Sequence, residues 1–241
     1  MAAPLLRVDR VVKRFGGFHA LSGVSLEVRA GERFGLIGPN GSGKTTLISC
    51  ISGTLRNESG HIFFGDRDVT GLPPHRRTRL GIARTFQIPR PFGSMTVLEN
   101  LRVTLEYGAL DRARRGNPTD EAREILELVR LESKADVIAA TLTQIEMRKL
   151  ELARAMAAKP ALLISDEAMA GLTSSEVDDL LEILFRLNAA GTTVIMIEHI
   201  MRAVMRFSER IAVLDAGEKI AEGPPETVIS DPAVERAYLG D

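Results

Sequence analysis

The chain has 241 residues and a formal net charge of −1, which removes any bulk-charge argument for nucleic acid or an anionic lipid surface. Its 44% apolar and 26% charged content is ordinary for a globular protein and sets disorder aside. A single cysteine, Cys50, excludes an intrachain disulfide; residues 1–10 lack a signal-peptide pattern, and no apolar run approaches the roughly 20 residues that span a bilayer.

In chain order, residues 5–12 and 24–28 alternate in polarity as half-buried strands do. Residues 33–37 read as a strand running into a glycine-rich turn, and 43–52 as a helix that buries Cys50. A strand at 61–64 precedes the turn-rich stretch 65–74. Three segments, 97–107, 120–131 and 144–157, carry apolar residues at helical spacing, with a polar loop predicted at 111–118. They predict a helical insertion of about 70 residues. Strands at 161–165, 193–197 and 210–214 then alternate with helices at 174–188 and 200–207. Short apolar strands alternating with helices predict a mostly parallel sheet covered on both faces.

The strongest chemical signal is Gly38-Pro39-Asn40-Gly41-Ser42-Gly43-Lys44-Thr45-Thr46, which fits the phosphate-loop pattern in full. Glycines let the backbone curl so that N–H groups point into one concavity, and the following helix adds its positive end. Lys44 suits the β- and γ-phosphates, Thr45 a magnesium ion and Thr46 the α-phosphate region. The motif follows a predicted strand and opens a helix, the context it requires.

An apolar strand ending in Asp166 and Glu167 supplies the complementary half. Asp166 is placed to hold Mg²⁺ and Glu167 to polarise an attacking water. His199 follows a strand parallel to that one, within reach of a γ-phosphate, where it would stabilise developing charge. A lone histidine is more often structural; the surrounding motifs favour the functional reading. Gln87, after the stretch 81–86, is a candidate for contact with Mg²⁺ and the water. Phe15 is a candidate for stacking on a base, with a core position the competing reading.

In this order these elements resemble the ABC ATPase family across essentially the whole chain. Lys13-Arg14-Phe15-Gly16-Gly17, the stretch from Gly81 to Gln87, Thr96-Val97-Leu98-Glu99-Asn100 and the ending 235–240 resemble the ATPases of branched-chain amino acid importers. The resemblance implies an α/β P-loop NTPase core with an antiparallel β subdomain, at 1–88 and 160–241, and an inserted helical subdomain at 89–159. It further implies ATP and Mg²⁺ as cofactors and a dimer with two sandwiched ATPs. The implied partners are integral membrane permease subunits, a second ATPase subunit (identical or different) and, indirectly, an extracytoplasmic solute-binding protein. The implied location is the cytoplasmic face of the inner membrane, held peripherally, with the isolated chain soluble. A catalytically weak, non-transport regulator or scaffold is the competing function.

The signature segment departs from the family pattern. Leu142-Thr143-Gln144-Ile145-Glu146 stands where Leu-Ser-Gly-Gly-Gln is usual, although Ala153-Arg154-Ala155 is in register. Ile145 adds bulk where close phosphate approach is expected, and Glu146 adds negative charge. Ala168 replaces a usual proline, and Ala170-Gly171-Leu172-Thr173 lacks a usual acid. The expectation is an asymmetric pair, in which a different subunit supplies an intact signature; the competing reading is that 143–146 is a tolerated variant and a homodimer works normally. Arg76, Arg77, Arg79, Arg84 and Arg90 form a basic run read as a solvated or headgroup-facing surface, as do Arg112, Arg114 and Arg115. Without interleaved aromatics neither reads as a nucleic-acid site.

Overall fold

In the computed structural model, which describes residues 3–86, 88–108 and 117–239, the chain opens with β1 (Leu6–Phe15) and β2 (Phe18–Val28). This hairpin is longer than the two strands expected from alternation. Gly16 takes φ 59° and allows a two-residue turn, so pairing continues to Phe15 opposite Phe18. β3 (Arg33–Ile37) leads through the phosphate loop into α1 (Lys44–Ser52), and β4 (Ser59–Phe64) and β5 (Arg67–Asp68) return to the hairpin. The four form an antiparallel sheet in the order β2-β1-β4-β5.

α2 (Pro74–Leu80) and β6 (Ile82–Arg84) follow. α2 lies within the basic run that was read as solvated surface. That reading fails at Arg77, which is 1% exposed and closes the C-terminal end of α1 by donating to Cys50 O at 2.6 Å and Ile51 O at 2.8 Å. Cys50 itself is fully buried, and burial pushes its thiol up to about 11, as befits inert packing.

α3 (Val97–Gly108), α4 (Pro118–Leu128) and α5 (Gln144–Met156) match the three helical segments. The loop expected at 111–118, with Arg112, Arg114 and Arg115, falls mostly outside the described residues. Then come β7 (Leu162–Asp166), α6 (Ser174–Ala189), β8 (Thr193–Ile197), α7 (Met201–Phe207), β9 (Arg210–Asp215) and β10 (Glu218–Gly223). α8 (Pro225–Ile229) and α9 (Pro232–Leu239) end the described chain.

The second sheet runs β10-β9-β3-β8-β7-β6, parallel except at β10. Its central strands β3, β7, β8 and β9 are buried on both faces, and alternate residues serve two different cores. Phe34, Leu36, Ile164, Ile195, Ile197 and Leu214 pack with α1 and the antiparallel sheet. Leu163, Val194, Met196, Ile211 and Val213 pack with α5, α6 and α7. The strands' C-terminal ends are thereby fixed in one row, where β3 meets the phosphate loop, β7 ends in Asp166 and β8 runs on to Glu198 and His199. In open parallel sheets that edge is where ligands bind. No helix among the described residues is long and apolar enough to cross a membrane.

Candidate functional site

The phosphate loop occupies the turn between β3 and α1. Gly38 takes φ 148°, and a Cβ there would lie 2.1 Å from Leu214 O, so the close approach of β9 requires glycine. Ser42 O accepts from Gly217 N at 3.1 Å, which ties the loop to the turn between β9 and β10. Lys44 donates from Nζ to Gly38 O at 2.8 Å, Pro39 O at 2.9 Å and Ser42 Oγ at 3.4 Å. Its ammonium is thus held at the loop. Burial lowers the Lys44 pKa, and the carboxylates of Glu167 and Asp166 oppose that shift.

Phe15 and Phe18 pair across the hairpin tip and are 49% and 61% exposed. Together with residues 40–46, Glu167 and His199 they line a cleft of about 240 Å³. The exposure of Phe15 argues against the core reading. Phe18 is an addition, recognisable from sequence only once the Gly16-Gly17 turn is placed.

Parallel pairing of β7 with β8 sets Asp166 opposite Ile197. The next residue, Glu167, donates its N–H to Ile197 O at 2.9 Å and takes a left-handed φ of 47°. That conformation is unusual for a glutamate and turns its side chain out of the sheet edge. Glu167 Oε1 lies 3.0 Å from His199 Nε2. An ionised Glu167 only accepts, so the imidazole then carries a proton on Nε2. Asp166 is 4% exposed, and Arg84 Nη2 donates to its Oδ2 at 2.7 Å. The same guanidinium reaches Ser49 Oγ on α1 at 3.2 Å. Arg84 therefore departs from the solvated-face reading, since a buried carboxylate at a strand end needs a buried cation. Gln87 lies outside the described residues.

The donor set at this edge suits a magnesium ion. Thr45 offers a hydroxyl and Asp166 a carboxylate, both hard oxygens, and Mg²⁺ commonly takes one or two protein oxygens with the rest from phosphates and water. Among the described residues no group of three or more His, Cys, Asp or Glu is arranged to hold a metal ion by itself.

The signature segment lies at the N-terminus of α5. Thr143 caps the helix, its Oγ1 accepting from Glu146 N at 3.4 Å while Thr143 N donates to Glu146 Oε2 at 2.9 Å. Glu146 Oε1 also pairs with Lys134 Nζ at 3.1 Å. The Thr143 amide, ahead of Lys134, holds the Glu146 carboxyl below its ordinary value. Leu142 and Ile145 are partly buried and pack against the larger core cluster. Gln144 Nε2 donates to Ala170 O at 3.1 Å, linking the segment to the loop that follows Glu167.

Residues 21–170 match the family described as ABC transporter, and residues 218–241 match that described as branched-chain amino acid ATP-binding cassette transporter. The chain is 40% identical to LivG, a high-affinity branched-chain amino acid transport ATP-binding protein of Salmonella typhimurium, over the full length of both. Among solved structures, it superposes on the ADP conformation of an ABC transporter cassette with a TM-score of 0.90 and 35% identity, covering 100% of both chains. A dimeric cassette in a post-hydrolysis state bound to ADP and Pi matches with a TM-score of 0.81 and 26% identity, over 91% of this chain and 98% of that one. With a phosphate loop, an Asp-Glu strand end and a histidine converging at one sheet edge, the chain belongs to the ABC transporter ATP-binding family and is an ATPase of that kind.

Proposed function

We propose that this chain energises an importer of branched-chain or related amino acids. It works at the cytoplasmic face of the membrane through permease subunits and, indirectly, an extracytoplasmic solute-binding protein. The observation that carries the reading is the meeting of Lys44, Glu167 and His199 at one cleft beside the phosphate loop. Full-length likeness to LivG and the match at 218–241 support the substrate class.

In this reading residues 38–46 cradle the phosphates, Lys44 neutralises their charge and Phe15 stacks on the base. Glu167 orients the attacking water. His199 holds Glu167 in place and donates toward charge developing on the γ-phosphate. Thr45 and Asp166 would hold magnesium, with Gln87 assigned from sequence alone; when bound, the ion would neutralise phosphate charge. The parts at 1–88 and 160–241 form the nucleotide-binding lobe, and 89–159 presents the signature segment to a second subunit.

Two ATPs sandwiched between paired subunits require each signature helix to offer backbone donors to the partner's nucleotide. Here the capping box of Thr143 and Glu146 already engages two of those donors with the chain's own side chains. That supports an asymmetric pair, in which an intact signature from a different subunit completes this chain's site. Its own signature makes the weaker half.

The test is ATP hydrolysis by the purified chain across a wide protein concentration range, with Glu167→Gln as the blank. Turnover is expected only after the partner ATPase subunit is added, and it is expected to vanish in Glu167→Gln. Turnover rising steeply with concentration of the chain alone would establish a working homodimer and end the asymmetric reading. Tight binding without turnover under any pairing would favour a regulatory or scaffold protein.

A further inference from the structure

β8 runs into two ionisable residues that face different surroundings. His199 is exposed and meets Glu167. Glu198 is 3% exposed, and no step of the proposed hydrolysis uses it. A carboxylate that deep is costly unless it is bonded, so its partners indicate what it does. Oε1 accepts from Met169 N at 2.8 Å. The His199 amide favours its ionised form, and the charged groups facing it are Glu167 and Arg148 of α5.

Met169 belongs to the loop that carries Glu167, whose left-handed φ of 47° persists only where the surroundings impose it. The loop is held at three successive places. Glu167 N donates to Ile197 O at 2.9 Å, Met169 N to Glu198, and Ala170 O accepts from Gln144 Nε2 at 3.1 Å and Arg148 Nη2 at 3.4 Å. Two of these holds come from the end of β8 and the third from the N-terminal half of α5.

We propose that Glu198 is a positioning residue for hydrolysis: through the Met169 amide it keeps the loop in the shape that sets the Glu167 carboxylate against His199. The inference rests on Glu167 and His199 being the hydrolytic pair. It also makes this loop a bridge within one subunit. Movement of the signature helix reaches Ala170 through Gln144 and Arg148, and Glu198 resists that movement from the strand side.

Two substitutions separate reach from charge. Glu198→Gln keeps an acceptor at the same distance and removes the charge. Glu198→Asp keeps the charge but is one methylene shorter and falls short of Met169 N. ATP turnover is to be measured in the assembled transporter, with affinity for a fluorescent ATP analogue measured alongside and Glu167→Gln as control. Glu198→Asp is expected to lower kcat about tenfold or more with nucleotide affinity unchanged, and Glu198→Gln to stay within about threefold of wild type. A wild-type kcat in Glu198→Asp, or equal losses in both variants, overturns the proposal. So does a loss of nucleotide affinity in step with kcat. If Glu167→Gln itself turns over ATP normally, the reading of the hydrolytic pair fails instead. Should Glu198→Asp not fold, amide exchange at Met169 in the wild-type chain decides: core-like protection is expected, and exchange as fast as an open loop overturns it.

Discussion

Arg84 Nη2 lies 2.7 Å from Asp166 Oδ2, and both side chains are nearly buried, at 12% and 6% exposure. The acid expected to face magnesium is therefore paired within the protein. Arg84→Met leaves that carboxylate buried without its ion-pair partner, which is expected to lower unfolding free energy by about 3–5 kcal/mol. A bound magnesium ion restores a positive neighbour. The rise in melting temperature on adding Mg-ATP should therefore be larger in Arg84→Met than in wild type. Thermal unfolding with and without Mg-ATP checks both statements, and an equal rise would show that Arg84 does not balance Asp166.

Glu198 ties stability to pH. Burial above all, with the charge of Glu167 adding to it, pushes its carboxyl up to about 7 from the ordinary 4.5. Between those values the folded state holds a proton that the unfolded state has lost. Stability contributed by the protonated group is therefore full below pH 4.5 and falls as pH rises, with the loss complete above about 7. The total is on the order of 3 kcal/mol. Glu198→Gln removes this dependence, so its stability advantage over wild type should grow from pH 5 to pH 8. Denaturant melts at several pH values measure it.

Arg77 closes the C-terminal end of α1 with bonds to Cys50 O and Ile51 O, and holds the preceding turn through Leu72 O at 2.9 Å and Thr70 O at 2.8 Å. Arg77→Met removes its donors from two buried and two part-buried carbonyls, of which Cys50 O keeps Gly53 N at 3.3 Å. The expected cost is about 3 kcal/mol or more, because buried unpaired acceptors are worse than absent bonds. A melting temperature within a degree or two of wild type would contradict this.

At α5, Glu146→Gln removes the carboxylate from the capped helix end. Under the asymmetric reading it should favour nucleotide-dependent self-association by ~1 kcal/mol, about fivefold in affinity. Sedimentation of the chain with ATP, using Glu167→Gln in both forms to block turnover, measures the change. No change would mean that Glu146 is not what weakens the signature half-site.

Phe92 is 43% exposed, lies beside Arg154 with its ring 5.3 Å from the guanidinium, and follows the junction at Phe86 and Ile88, which are 46% and 71% exposed. A run of exposed apolar side chains suits docking of a membrane subunit. Phe92→Asp is expected to lower uptake in the reconstituted transporter by about tenfold while nucleotide binding stays unchanged. Unchanged uptake removes Phe92 from that interface.

The candidate residues along the sheet edge were readable from residue order because each part is local. A phosphate loop needs glycines and a lysine at fixed spacing, and a strand ending in Asp-Glu declares itself within seven residues. Phosphate loop, strand β7 and the helices around them followed from pattern alone, as did a parallel strand that ends shortly before His199. Partners far apart in sequence were not readable. Arg84 sat in a run of arginines and Glu198 beside a more conspicuous histidine, and neither residue carries any local sign of burial. Only the parallel pairing of β6 with β7 and of β7 with β8 brings Arg84 onto Asp166 and His199 onto Glu167, and only the folding of α5 against the intervening loop brings Gln144 to Ala170. Periodicity reports which way a side chain faces along its own strand. What it meets there is decided by strand order, because hydrogen bonding between distant segments sets the register.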